Sequence, residues 1–196
     1  MAYSPISKML RVIIRAVCAV LLFGSWPCIG SERLAGVICN DLDGVARRPF
    51  DPGGKSASVL LFYWHDCPVC NSYAPEVNRI VASYTDFAFY IVQVDPDLTP
   101  GAAREHAKEY GLKAPILLDP KHRLVKLAKA TVSPQAIIID KHGRTLYSGR
   151  IDDLYTALGK RRAEATHHDL REALNAIAAG KQVQPKKNTP IGCLIQ

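Results

Sequence analysis

The sequence predicts an α/β sandwich around a central mixed sheet, on three observations. Residues 58–64 (SVLLFYW) and 87–94 (FAFYIVQV) are apolar runs without polar alternation, the pattern of strands covered on both faces. Helix-period segments follow each of them. A further apolar run, 136–139, leads through Asp140-Lys141-His142-Gly143, a hairpin turn, into 145–151, and a helical segment comes after. Strands that first alternate with helices and then pair in a hairpin give a mixed sheet under helices.

Residues 1–30 read as an export signal. Lys8, Arg11 and Arg15 form a basic start, 16–24 is apolar, and small residues with a helix breaker follow. The apolar part is short for a membrane span and its order of parts is that of a signal peptide cleaved near Gly30, with a retained N-terminal anchor as the alternative. The bulky Ser25-Trp26-Pro27 before Cys28 is wrong for lipoprotein processing. The formal charge of the whole chain is +7; without the three basic residues of the leader, 22 basic face 18 acidic residues, a net of +4. The basic residues are scattered apart from Lys160-Arg161-Arg162 and Lys186-Lys187, and no aromatic residues interleave with either cluster. A solvated surface is expected, not a nucleic-acid partner.

Residues 31–180 then form one domain. The lead-in 31–54 holds a short strand within 34–42, a turn at Asp41-Leu42-Asp43-Gly44 and a loop at Asp51-Pro52-Gly53-Gly54. After the first strand, Val69, Tyr73, Val77, Ile80, Val81 and Tyr84 recur at helical steps. Pro68 suits the first helical position, whereas Pro75 removes an interior hydrogen bond and should kink the helix. Thr99-Pro100 opens a helix that Gly111 closes, 116–118 is a short strand, and Asp119-Pro120 caps a short helix over 124–128. Gly149 in the last strand marks a bulge or a close approach. Residues 152–165 are polar and read as a loop, and 168–179 as a helix stopped by Gly180. Residues 181–196 are a Lys/Pro linker and an apolar tail. His106, His122, His142 and the pair His167-His168 stand in polar surroundings and read as surface residues.

Chemistry concentrates where the first strand meets the first helix, at Trp64-His65-Asp66-Cys67-Pro68-Val69-Cys70. A thiol just before a helix faces unpaired N–H groups and the positive end of the dipole, and both favour the reactive thiolate. Cys67 is then the attacking thiol and Cys70, one turn later, the resolving thiol. His65 is either a proton carrier beside them or an exposed loop residue. The other readings of C-x-x-C are a static disulfide or half of a zinc site, the latter needing two more ligands. With Cys18 and Cys28 in the leader, the other thiols are Cys39 and Cys193, without a second C-x-x-C.

The segment from Trp64 to Pro75 resembles the active-site segment of the thioredoxin superfamily: an aromatic strand end, C-x-x-C, and a proline five residues after the second cysteine. Thr131-Val132-Ser133-Pro134 before a buried strand resembles the cis-proline loop of that superfamily. The resemblance implies a thioredoxin-like fold, a cis bond at Pro134, a Ser133 backbone that pairs with a bound partner, and a partner groove that Trp64 helps to line. Cys70 and Pro134 stand 64 residues apart, because 95–118 add a helix and a strand. That insertion is similar to the exported reductases of the cytochrome c maturation type and to the AhpC/TSA-like redoxins, which include peroxiredoxins. Two residues depart from the family pattern. Leu61 stands where thioredoxin buries an Asp. Trp64 stands where peroxiredoxins need a Thr or Ser for the peroxide.

The implied function is an exported, periplasmic or extracytoplasmic thiol–disulfide oxidoreductase. It acts on disulfide or dithiol protein partners through Cys67, Cys70 and Pro134, without a cofactor, a resident metal or a nucleic acid, and any membrane tether lies in the N-terminal segment. The alternatives are a thiol peroxidase sharing Cys67 and a copper chaperone using Cys67, Cys70 and His65. For Cys39 and Cys193, a structural disulfide tying tail to lead-in is expected, against the reading of a third redox thiol.

Overall fold

The computed structural model describes residues 34–184 and 188–196; the expected leader lies outside the described residues. In chain order the elements are β1 (Cys39–Asn40), β2 (Ala46–Arg47), β3 (Ala57–Tyr63), α1 (Pro68–Ser83), β4 (Phe87–Gln93), α2 (Pro100–Glu109), β5 (Ile116–Leu118) and α3 (Arg123–Ala128). They continue with β6 (Val132–Ser133), β7 (Gln135–Ile139), β8 (Thr145–Gly149), β9 (Tyr155–Ala157), β10 (Lys160–Arg161), α4 (Asp169–Ala178) and β11 (Cys193–Leu194).

The central sheet has five strands in the order β5-β4-β3-β7-β8. β3, β4 and β5 run parallel, and β7 and β8 are antiparallel to their neighbours. This is the mixed sheet of a thioredoxin-like fold. All seven residues of β3 are buried, as the lack of alternation in its sequence requires for a central strand covered on both sides. Leu61 and Tyr63 pack on one face with Val77, Ile80 and Leu170. Leu60 and Phe62 pack on the other with Phe50, Val92, Leu117 and Leu124.

The helices start and stop for local reasons. Thr99 caps α2 by accepting a hydrogen bond from the Ala102 N–H at 3.2 Å, with Pro100 in the first turn. The Asp119 carboxylate accepts from the Arg123 and Val125 N–H groups at the start of α3. In the β7–β8 turn Asp140 accepts from the N–H groups of His142 and Arg144, and Gly143 takes the positive φ of 73° that the turn requires. Pro75 lies inside α1, which continues past it to Ser83. Two ion pairs fix α4: Arg150 meets Asp169 at 2.8 Å and Arg171 meets Glu76 of α1 at 2.7 Å.

The structure departs from the sequence expectations in several places. Residues 152–165 are not all loop, since β9 and β10 pair within them as a small hairpin. His106 is not a surface residue: it is buried, 2.9 Å from the Asn71 amide oxygen and 3.3 Å from the Gln93 amide nitrogen. His122 likewise turns inward to the Val94 carbonyl at 2.6 Å. The disulfide expected between Cys39 and Cys193 is not formed; both are free thiols. Cys39 lies on β1 beside the Phe62 face, and Cys193 on β11, which pairs with β6. Gly149 marks a close approach, since a β-carbon there would run into the Asn188 side chain.

Candidate active site

β3 carries the chain to the C-terminal edge of its parallel half-sheet, where α/β proteins place their ligands. Cys67 is the residue before α1 and has extended backbone angles (φ −80°, ψ 114°). No acid occupies the first helical turn, so the otherwise unpaired N–H groups of Val69 and Cys70 act on the Cys67 sulfur. The Cys67 thiol is pulled down to about 5, chiefly by a hydrogen bond from the Cys70 thiol. Burial opposes the shift, while the Cys193 thiol and the two N–H groups add to it. Burial and the neighbouring Cys67 sulfur together push the Cys70 thiol far up. One sulfur is therefore held ready as a thiolate and the other is held protonated behind it, the asymmetry expected of an attacking and a resolving thiol.

The loop carrying Pro134 closes the site from the side of β7. The Ser133–Pro134 bond is cis, and the Ser133 carbonyl lies 3.7 Å from Cys67 Sγ. Trp64 is half-buried between the two core faces, and its carbonyl accepts the Cys67 N–H at 3.0 Å. The structure thus gathers Cys67, Cys70, Ser133, Pro134 and Trp64 in one place and leaves Cys39 outside it. It also brings Cys193, whose sulfur lies 2.8 Å from that of Cys67. Burial and Cys67 push the Cys193 thiol up to about 11.

His65, legible in the sequence, is joined by polar groups from distant parts of the chain. His65 lies 2.9 Å from an Asp95 oxygen and 3.1 Å from an Asp66 oxygen. Asn71 donates to the His65 carbonyl and meets His106, which links α1, α2 and the site. On the other flank the buried Tyr73 hydroxyl donates to Asp152 at 2.6 Å, and burial holds that carboxyl above its ordinary range. Burial pushes the Tyr63 hydroxyl well up, and the neighbouring Cys70, Tyr73 and Cys67 add to the shift. Tyr73→Phe leaves the Asp152 carboxylate with only the Leu154 N–H, and should cost about 1–3 kcal/mol in urea unfolding. Among the described residues, no group of three or more His, Cys, Asp or Glu side chains is arranged to hold a metal ion.

Residues 41–148 match the sequence model of the AhpC/TSA family. The chain belongs to that family. Among curated relatives, a thiol-disulfide oxidoreductase ResA of Bacillus thuringiensis subsp. konkukian is 29% identical over 119 residues, 60% of this chain and 67% of that protein. The thiol-disulfide oxidoreductase YkuV of Bacillus subtilis is 27% identical over 95 residues, 46% of this chain and 64% of that protein. The fold is similar to that of an uncharacterized conserved protein from Geobacillus kaustophilus, with a TM-score of 0.70, 25% identity, and 81% of this chain and 87% of that one covered. It is also similar to a secreted Mycobacterium tuberculosis disulfide oxidoreductase homologous to E. coli DsbE, with a TM-score of 0.54, 21% identity, and 76% and 98% covered. By class, this AhpC/TSA member is an enzyme, a thioredoxin-like thiol–disulfide oxidoreductase.

Proposed function

We propose that the protein is an exported oxidoreductase that exchanges disulfides with protein partners through Cys67 and Cys70. The observation that carries this reading is the opposed environment of the two thiols: one stabilised as a thiolate at the N-terminus of α1, the other buried and protonated one turn on. The Cys67 thiolate attacks a partner disulfide, forming a mixed disulfide and releasing one partner thiolate, which takes up a proton. Cys70 then loses its proton and attacks Cys67 Sγ. The Cys67–partner bond breaks, the Cys67–Cys70 disulfide forms, and the partner leaves as a dithiol, reduced by the two electrons the enzyme gave up. The reverse sequence oxidises a partner, and the potentials of the two pairs set the direction. The Ser133 backbone beside Cys67 supplies the edge on which a partner strand aligns, and Pro134 and Trp64 border it. Export rests on the basic-then-apolar leader of 1–30.

Insulin reduction driven by dithiothreitol tests the reading. Wild type should accelerate precipitation of the insulin B chain, and Cys67→Ser should return the rate to that of dithiothreitol alone. Equal rates for the two proteins would refute the assignment. Cys70→Ser should hold partners as mixed disulfides on Cys67 for identification.

A further inference from the structure

A site built for exchange with other proteins needs its nucleophile within reach, yet Cys67 is only 1% exposed. What lies over it is the segment 188–196 of the same chain. β11 pairs antiparallel with β6, setting Cys193 opposite Ser133 and Leu194 opposite Val132. The Ile195 N–H donates to the Thr131 carbonyl at 3.0 Å, and the Ser133 hydroxyl donates to the Cys193 carbonyl at 3.4 Å. Upstream, the Arg150 N–H donates to the Asn188 carbonyl at 3.0 Å. This is strand addition to the edge beside the active-site thiol, with a cysteine placed at the sulfur.

Two glycines permit the approach. A β-carbon at Gly192 would overlap the Ser133 carbonyl, and one at Gly149 would overlap the Asn188 side chain. One glycine lies on the docking segment and the other on the sheet that receives it, so the fit is built from both sides. The two sulfurs, 2.8 Å apart, are inside van der Waals contact and beyond the disulfide bond length of about 2.05 Å. Cys193 is itself partly exposed, unlike the thiol beneath it.

We propose that Cys193 is a third redox-active thiol, which exchanges with the Cys67–Cys70 disulfide from a docked strand that occupies the partner site. The proposal rests on the reading of Cys67 and Cys70 as the exchanging pair. In the oxidised enzyme the Cys193 thiolate attacks Cys67 Sγ. The Cys67–Cys193 bond forms as the Cys67–Cys70 bond breaks, and Cys70 leaves as a thiolate that takes up the proton Cys193 gave up. No net electrons move, and attack by Cys70 on Cys67 reverses the step. An incoming partner meets Cys193 before Cys67, and gains the Ser133 edge by displacing β11.

The test uses the full chain. Reduced Cys70→Ser is treated with diamide, an azo oxidant that takes two electrons and two protons from a thiol pair, quenched in acid, and mapped by mass spectrometry of unreduced peptic peptides. A Cys67–Cys193 link should dominate. A Cys39–Cys193 link instead, or Cys67 left unlinked to Cys193, overturns the proposal. Adding Gly192→Ala should cut the early yield of the link by about tenfold, through loss of effective concentration, and an unchanged yield overturns the docked-strand geometry. Oxidised wild type, mapped in the same way, should show both Cys67–Cys70 and Cys67–Cys193. A Cys67–Cys70 link alone sinks the exchange and leaves the function standing, whereas absence of any Cys67–Cys70 link sinks the function itself.

Discussion

Titration of the reduced protein should reveal one thiolate that forms with a midpoint near pH 5, followed by the ultraviolet thiolate absorbance and absent from Cys67→Ser. An ordinary thiol with a pKa of about 8.5 is roughly 0.3% ionised at pH 6, whereas one near 5 is about 90% ionised, a difference of a few hundredfold. The sign follows from the groups around the sulfur. The Cys70 thiol, the Cys193 thiol and the N–H groups of Cys70 and Val69 all donate to Cys67, and each stabilises the charged form. Burial works against them and does not prevail. A depressed value means that the thiolate survives as the pH falls and is lost only through about pH 5. Replacing Cys70 by Ala should raise the midpoint most, because its hydrogen bond is the largest single cause; Cys193→Ala should raise it less. A wild-type midpoint near 8.5 would show that the donors do not act on the sulfur.

The readable part of this protein was the part with local physics behind it. An apolar run that ends at Trp64, a proline at the first helical position and two cysteines one turn apart specify a strand, a helix and a thiol at their junction. Each of those statements needs only neighbours in sequence. The cis bond at Pro134 follows from the resemblance, because trans is the default for an X-Pro bond. His106 shows the limit. Its neighbours in 104–109 are mostly charged, so it reads as surface, but α2 turns it inward to Asn71 and Gln93. Asp152 is similar: a polar residue after a strand, paired with a tyrosine 79 positions away. Cys193 departs furthest from the favoured expectation: its sulfur stands 2.8 Å from that of Cys67 and is not joined to Cys39. The linker before it carries no period that says where the chain returns. The available signal was an apolar stretch with a glycine beside a cysteine, Ile191-Gly192-Cys193-Leu194-Ile195, too apolar for a solvated tail and able to approach another backbone closely.

Phe62→Ala should lower the unfolding free energy by about 3–5 kcal/mol, seen as a lower urea midpoint at unchanged slope. Phe62 is 0% exposed near the C-terminal end of β3, the middle strand of the sheet, paired to Val92 on one side and Gln135 on the other. Neighbouring strands fix its position, so the space it leaves cannot close without breaking the ladder that sets the register of the whole sheet. Domains of this size are stable by roughly 5–15 kcal/mol, so the loss is a large fraction of the total. Reactivity should respond differently. Phe62 faces the cluster of Phe50, Tyr90 and Leu124, while Cys67 and Cys70 belong to the cluster on the opposite face with Leu61 and Tyr63. Wherever Phe62→Ala remains folded, the Cys67 midpoint should stay where it is in the wild type. Leu158→Ala provides the contrast for stability: at 65% exposure it should move the urea midpoint by no more than about 0.5 kcal/mol in free energy. A shifted Cys67 midpoint in Phe62→Ala would mean that the two faces of the sheet are mechanically coupled at the site. An unchanged midpoint would assign the thiolate to α1, Cys70 and the β11 strand, with the sheet serving to hold them.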